Sequence, residues 1–184
     1  TINGGNVTAS ITGNSTSAIS SKSVTINGGN VIASATGEFG NGIDIDSNGS
    51  GVAINGGTLT AIGSSMGIDA QGDNQSVTIG EGIAINAGDD ESDACSIDDI
   101  STWGHTARWV QAGTAYPLWV GNKHVTNANA SNITGSDTPT ASYDAKSKTL
   151  TLDGYNNDEK SHSWESGYSD YSAVICAEDD LAIK

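Results

Sequence analysis

Basic residues, aromatics, proline and cysteine are all scarce in this chain of 184 residues. Seven Lys and Arg stand against 22 Asp and Glu, and the net charge of −15 argues against nucleic-acid or anionic-lipid partners, which need a basic surface. Aromatics make up 5% and all hydrophobic residues 35%, which excludes a wide, thick core. No apolar run approaches the roughly 18–20 residues that span a bilayer. The sequence therefore predicts no membrane insertion.

Two cysteines are too few for the framework of a disulfide-rich domain. Cys95 and Cys176 lie far apart in the chain, and a bridge between them would join a loop to an inward strand position. We expect Cys95 to be free and Cys176 to be buried as a small apolar residue.

What the sequence does have is an internal repeat. The string TINGGNVTAS at 1–10 returns as TINGGNVIAS at 25–34 and as AINGGTLTAI at 53–62, and a worn copy, TIGEGIAINA, occupies 78–87. The copies start 24, 28 and 25 residues apart, and a second short apolar segment lies between consecutive copies. Regular self-similarity on this scale is typical of stacked repeats rather than of a disordered polar chain.

Each copy has the pattern of short strands joined by sharp corners. Apolar residues alternate with polar ones, which indicates strands. Across Asn-Gly-Gly the apolar residues change from even to odd positions, which indicates that the backbone bends there. We predict an all-β, right-handed parallel β-helix with three short strands and about 24–28 residues per coil. An antiparallel sandwich of short strands is the alternative. The predicted internal rows are Ile2, Ile26, Ile54 and Ile79, and Val7, Val31 and Leu59.

The character of the chain changes after the repeats. We interpret 1–110 as the C-terminal part of one β-helix domain, 111–115 as a linker, and 116–184 as the β-hairpin cap and first coil of a second β-helix. LWVGNKHV and SYDAKSKTLTLDGY each predict a hairpin. Because both ends fall inside repeat-like strands, we expect a fragment of a longer protein.

The strings TINGG, YPLWVGNKHVTNANASNITG, SYDAKSKTLTLDGY and SAVICAEDDLAIK together resemble the carbohydrate-binding β-helix domains of large cell-surface proteins from anaerobic Gram-positive bacteria. The resemblance covers 116–184 as a domain start and 1–110 as the body of a preceding domain. It implies an extracellular, cell-surface or cell-wall location and a polysaccharide partner. Because the best-known member of that family binds acidic plant polysaccharide with calcium, an acidic plant cell-wall glycan is the implied ligand.

A calcium site is predicted where oxygen-bearing side chains alternate before a glycine. Asp44, Asp46 and Asn48 precede Gly49, a spacing like the opening of calcium loops, although position twelve is not Glu. Asp69 falls 25 residues after Asp44, one coil further on, so we expect the two carboxylates to stack. A solvated polar face is the alternative interpretation.

Aromatic side chains on a polar segment are the second candidate site. His162, Trp164, Tyr168 and Tyr171 cluster in SHSWESGYSDY, and exposed rings can cover the apolar face of a sugar. We therefore predict carbohydrate contact there. The alternative is that these rings cover the open end of the second helix or rest against Trp119.

The predicted function is an extracellular carbohydrate-binding or adhesin module. The predicted calcium site implies that its polysaccharide binding depends on calcium. A structural stalk or a protein-binding adhesin repeat without a sugar ligand is the alternative. An enzyme like the pectate lyases is disfavoured, since the chain has one Arg, Arg108, and its acidic pairs have no matching His or Lys in repeat register. We therefore expect no catalysis.

Overall fold

The computed structural model describes residues 1–97, 107–137, 140–156, 161–166 and 169–184, and within them every regular element is a β-strand. The repeat region provides nine short strands. They are β1 (Asn6–Ile11), β2 (Ser17–Ser21), β3 (Ser23–Ile26), β4 (Asn30–Ala35), β5 (Asn41–Ile45), β6 (Gly51–Ile54), β7 (Thr58–Gly63), β8 (Met66–Asp69) and β9 (Ser76–Ile79).

These nine strands stack coil upon coil. β1, β4 and β7 are parallel neighbours, as are β2, β5 and β8, and β3, β6 and β9. Ile26 pairs with Ile54, and Val31 pairs with both Val7 and Leu59. The parallel β-helix and its internal rows are confirmed, and the antiparallel sandwich is excluded for this region.

Small branched side chains fill the interior of the coils. Ile26, Ile54, Val31 and Leu59 are fully buried. Ile79 continues the isoleucine row but is 39% exposed, because β9 is the last strand of its sheet and no further rung covers it. An inward-facing side chain is therefore fully buried only when a coil lies on each side of its own.

Asparagines connect the coils at the Asn-Gly-Gly corners. Asn27 donates from Nδ2 to Asn3 Oδ1 at 2.8 Å, and Asn55 donates in the same way to Asn27 Oδ1 at 2.9 Å. The repeated Asn therefore serves two purposes, since it permits the bend and links each rung to the next.

Only the start of the fourth copy stacks on the third, where Thr78 and Ile79 of β9 pair with Ala53 and Ile54. The rest of the copy forms β10 (Ile83–Gly88), which with β11 (Cys95–Ile97) lies beyond a long strand, β12 (Trp109–Val120). β12 runs antiparallel between β7 and β10, with Ala112 opposite both Leu59 and Ile85. The strand thus covers the β7 edge that the parallel stack leaves open.

The predicted linker at 111–115 is corrected by this strand. Gln111 and Ala112 are buried, and residues of β12 pair on both sides. The alternation that marks a half-buried strand is missing here because both faces are covered, which makes the segment resemble a linker in sequence. The outer limits of the two proposed domains stay predictions.

The second half builds its own small core around hairpins. Its strands are β13 (Lys123–Thr126), β14 (Ala141–Asp144), β15 (Thr149–Leu152), β16 (His162–Ser166), β17 (Ser169–Ala173), β18 (Ile175–Ala177) and β19 (Ala182–Ile183). Both predicted hairpins are present, as β12–β13 and β14–β15. The last strands return to earlier ones, β18 antiparallel to β12 and β19 parallel to β15. Leu118, Val125 and Leu150 lie at the centre of this second cluster.

Candidate functional site

The predicted carboxylate column is present on the sheet of β2, β5 and β8. Asp44 pairs with Asp69 on one side and with Ser20 on the other. Ser20 Oγ donates to Asp44 Oδ2 at 3.5 Å and to Asp46 Oδ1 at 3.3 Å. The register thus places Asp44 beside Asp69, and Ser20, which the sequence analysis did not single out, donates to both Asp44 and Asp46.

Asn41 is a second residue that the sequence analysis missed. Its Nδ2 donates to Asp69 Oδ2 at 3.0 Å, while its Oδ1 is buried and has no hydrogen-bond partner. An oxygen in this position costs free energy unless something binds it. The repeat gave no signal for it, since the equivalent positions of the neighbouring coils are Ser17 and Met66 rather than Asn.

Asn48 belongs to a tight turn rather than to the column. Gly49 donates its backbone N–H to Asp46 O at 2.6 Å, and Gln75 of the following coil donates to the same oxygen at 2.6 Å. Asn48 is exposed within this turn. Among the described residues, no three His, Cys, Asp or Glu side chains lie close enough together to hold a metal ion.

The aromatic segment forms a β-hairpin. In β16 and β17, His162 pairs with Ala173 and Trp164 pairs with Tyr171. The backbone register thus places Trp164 and Tyr171 opposite each other in the antiparallel pair. Tyr168 lies outside the described residues.

His162 attaches this hairpin to β12. Its ring stacks on Trp119 at a centroid distance of 4.5 Å and an interplanar angle of 13°. His124 covers the same indole at 4.1 Å, and its Nε2 lies 2.8 Å from Tyr116 O. For His162, this contact agrees with the alternative interpretation, in which the aromatic segment rests against Trp119. The Trp119 indole is thus flanked by two imidazole rings.

The cysteines are unpaired. Cys176 is half-buried rather than fully buried, because it lies in the short strand β18 at the edge of the second cluster. Burial, followed by the charge of Glu178, raises the pKa of its thiol. The thiolate that a nucleophile needs is therefore disfavoured at neutral pH.

Comparison with known proteins supports the architecture. The model of the family described as a beta helix repeat matches residues 24–44 and 52–73, which are the two central coils. No curated protein and no solved structure gives a significant match. The fold and the family match together define the class of the protein as a parallel β-helix repeat protein. No helix among the described residues is long and apolar enough to cross a membrane.

Proposed function

We propose that the chain is a non-catalytic carbohydrate-binding module of an extracellular, cell-surface protein, and that the β16–β17 hairpin carries its polysaccharide contact. The observation that carries this proposal is the stack of His162 on Trp119, which holds the hairpin with its Trp164–Tyr171 pair against the body of the protein. A sugar-binding surface gains affinity from rings that are ordered before the ligand arrives.

The chemistry of the hairpin fits a polysaccharide. Indole and phenol rings offer an apolar face to the C–H groups of a pyranose and keep a polar edge for its hydroxyls. Trp164 and Tyr171 stand opposite each other in the register, and Glu165 stands opposite Asp170 in the next pair. The two strands thus contain aromatic and carboxylate residue types within a few positions of each other.

Calcium dependence is the second part of the proposal, with the ion at the Asp44–Asp69 pair. The other two residues of the predicted site, Asp46 and Asn48, lie in the turn that follows β5. The Asp44–Asp69 pairing and the unpartnered Asn41 Oδ1 beside Asp69 support calcium binding, because stacked carboxylates repel and calcium is bound by oxygen ligands. An acidic glycan would then bind through calcium rather than through a basic surface.

Two exposed carboxyl groups, Asp90 and Asp144, lack the raised pKa of a general acid. Asp90 and Asp144 have pKa values below the ordinary range, because hydrogen bonds from Ser92 and Ser147 respectively stabilise their charged forms. A carboxyl group that acts as a general acid needs its pKa shifted the other way. These two groups serve turns.

Retention on immobilised polysaccharide, with calcium or with a chelator, tests the proposal. We expect the wild type to be retained on an acidic glycan in calcium, and Trp164→Ala to bind about tenfold more weakly, equivalent to about 1.4 kcal/mol. Asp44→Ala should behave like the wild type in chelator. Phe39→Ala is the matched control, since Phe39 is an exposed aromatic on the β-helix, 67% accessible.

Two outcomes would contradict the assignment. If Phe39→Ala weakens retention and Trp164→Ala does not, the hairpin is not the contact. If the wild type is retained on no polysaccharide, the chain is better explained as a stalk, which the straight stacking of β1, β4 and β7 also favours.

A further inference from the structure

A polar cavity of about 300 Å³ lies where the first half of the chain meets the second. The loop after β10, the β12–β13 turn and the segments on either side of the β14–β15 hairpin form its walls. Its lining comprises Ser92, Asp93, Val120, Gly121, Asn122, Lys123, Ile133, Thr134, Thr140, Tyr155 and Asn156. The sequence repeats give no sign of it, since its walls come from four separate segments.

Lys123 holds two of these walls together. The residue is 6% exposed, and its Nζ donates to the backbone carbonyls of Glu91 and, at 2.9 Å, Thr134. A buried ammonium costs several kcal/mol in real proteins unless it is compensated, so hydrogen bonds of this kind are needed to keep it there. The carbonyl groups of both loops are thereby fixed toward one point.

The same two loops are fixed by their own geometry. Asp90 Oδ1 accepts hydrogen bonds from the backbone N–H groups of Ser92 at 2.8 Å and Asp93 at 3.0 Å, which closes the first loop. Gly135 in the second loop has φ +71°, and a Cβ there would lie 2.7 Å from the carbonyl oxygen of Glu91. The cavity is therefore formed before any ligand enters.

The charges around the cavity disfavour an anionic ligand. Lys123 is the cation of the lining, but Asp93 lines the same cavity and Asp90 lies close enough to feel the lysine charge. Hydrogen bonds, mainly from Ser92, lower the pKa of Asp90, so this carboxylate stays ionised at neutral pH. In a chain of net charge −15, the surrounding charge therefore opposes the binding of a carboxylate or phosphate.

We propose that this cavity binds one neutral sugar residue, such as a chain end or a side branch of a polysaccharide. The proposal rests on the carbohydrate-binding function above and adds a second subsite to it. The volume is at the lower end of about 300–1,000 Å³ for ligand pockets, so it fits a single ring and excludes an oligosaccharide.

The lining matches the two faces of a pyranose. Asn122 and Thr140 contribute an amide and a hydroxyl to the lining. Thr140 Oγ1 donates to Thr134 Oγ1 at 3.4 Å, so its oxygen meets a sugar hydroxyl as an acceptor, while the Asn122 amide carries both donors and an acceptor. Val120, Ile133 and Tyr155 supply the apolar and aromatic wall that the C–H groups need.

Titration with monosaccharides, followed by amide NMR shifts, tests this site. The probes are glucose, galactose, mannose and xylose, with galacturonate as the anionic comparison. We expect at least one neutral sugar to shift the amides of Gly121, Asn122 and Thr134 with a dissociation constant on the order of 1 mM, a weak but measurable affinity. Galacturonate should bind more weakly than galactose.

Two variants remove the proposed contacts, and the isosteric Thr140→Val does so with little change in shape. Thr140→Val removes one hydroxyl and Tyr155→Leu removes the ring, and each should weaken neutral-sugar binding at least about fivefold. Thr151→Val is the matched control, an exposed threonine on β15 outside the cavity. Binding that survives both cavity variants, equal weakening by Thr151→Val, stronger binding of galacturonate, or no shift with any neutral sugar would each overturn the proposal.

The hairpin proposal and the cavity proposal can be refuted independently of each other. Trp164→Ala should weaken polysaccharide retention about tenfold while leaving the monosaccharide shifts unchanged. If the shifts are absent but wild-type retention depends on Trp164, the cavity proposal is wrong and the proposed function stands. If the shifts are present and no polysaccharide is retained, the hairpin assignment is wrong.

Discussion

A single glycine in each Asn-Gly-Gly corner sets how closely the coils approach. Gly5, Gly29 and Gly57 all have positive φ, of 80°, 87° and 78°. A Cβ on Gly57 would lie 2.7 Å from the backbone carbon of Gly28, whereas a Cβ on Gly5 would have nothing within 4 Å. The same residue in the same conformation therefore has a packing role only where another coil lies beneath it.

Alanine substitutions at these glycines separate backbone strain from coil packing. Gly5→Ala should cost about 1–2 kcal/mol of unfolding free energy, the penalty of an L side chain in the left-handed region. Gly57→Ala should cost about 1–3 kcal/mol more, because the added methyl group forces the neighbouring coil to move. Urea unfolding of both variants measures the difference, and equal losses would show that stacking does not constrain the corner.

At the scale of elements, β12 decides where the parallel stack ends. It pairs antiparallel with β7 and β10 and then continues into the β12–β13 hairpin of the second half. Open strand edges invite pairing with other chains, and a strand inserted across the edge removes that hazard. One element thus both closes the first core and starts the second.

Proline at Gln111 tests this role of β12. Gln111→Pro should lower the thermal midpoint and raise light scattering, since it removes a ladder hydrogen bond in a strand paired on both sides, at a cost of about 1–3 kcal/mol. Gln111→Ala is the matched control, because it keeps the backbone N–H and removes a buried Oε1 that has no partner. A linker would tolerate both changes, so an unaffected Gln111→Pro would contradict the strand.

At the scale of the whole molecule, the excess of negative charge works against the compact fold. Exposed pairs such as Lys148–Asp179, at 3.5 Å, offset little of the net charge of −15. Salt screens such repulsion, with a Debye length of about 10 Å at 0.1 M. Salt screening and the proposed calcium binding would both raise the stability of the fold, so an experiment must separate the two effects.

Thermal unfolding at matched ionic strength makes that separation. Sodium chloride should raise the midpoint by screening, and calcium chloride should raise it further if the Asp44–Asp69 column binds the ion. Binding at one hundred times the dissociation constant adds about 2.7 kcal/mol. Asp44→Asn should remove the calcium increment and keep the sodium effect. Equal midpoints in sodium, magnesium and calcium salts would contradict the calcium site.

The sequence by itself determined the coil, its period and its register. Ile26 over Ile54 and Asp44 beside Asp69 follow from repeats of local pattern, because each coil packs only against its neighbours. The Asn-Gly-Gly corners and the two hairpins were equally readable, since turn chemistry is set by adjacent residues.

Only the tertiary structure decided how the stack ends and what the second half places beside it. The insertion of β12, the stack of His162 on Trp119 and the Lys123 contacts join residues that no local period relates. Such pairings depend on which distant edge is left open and on which buried polar groups need partners. Periodicity carries no information about either, so they appear only when the whole chain is folded.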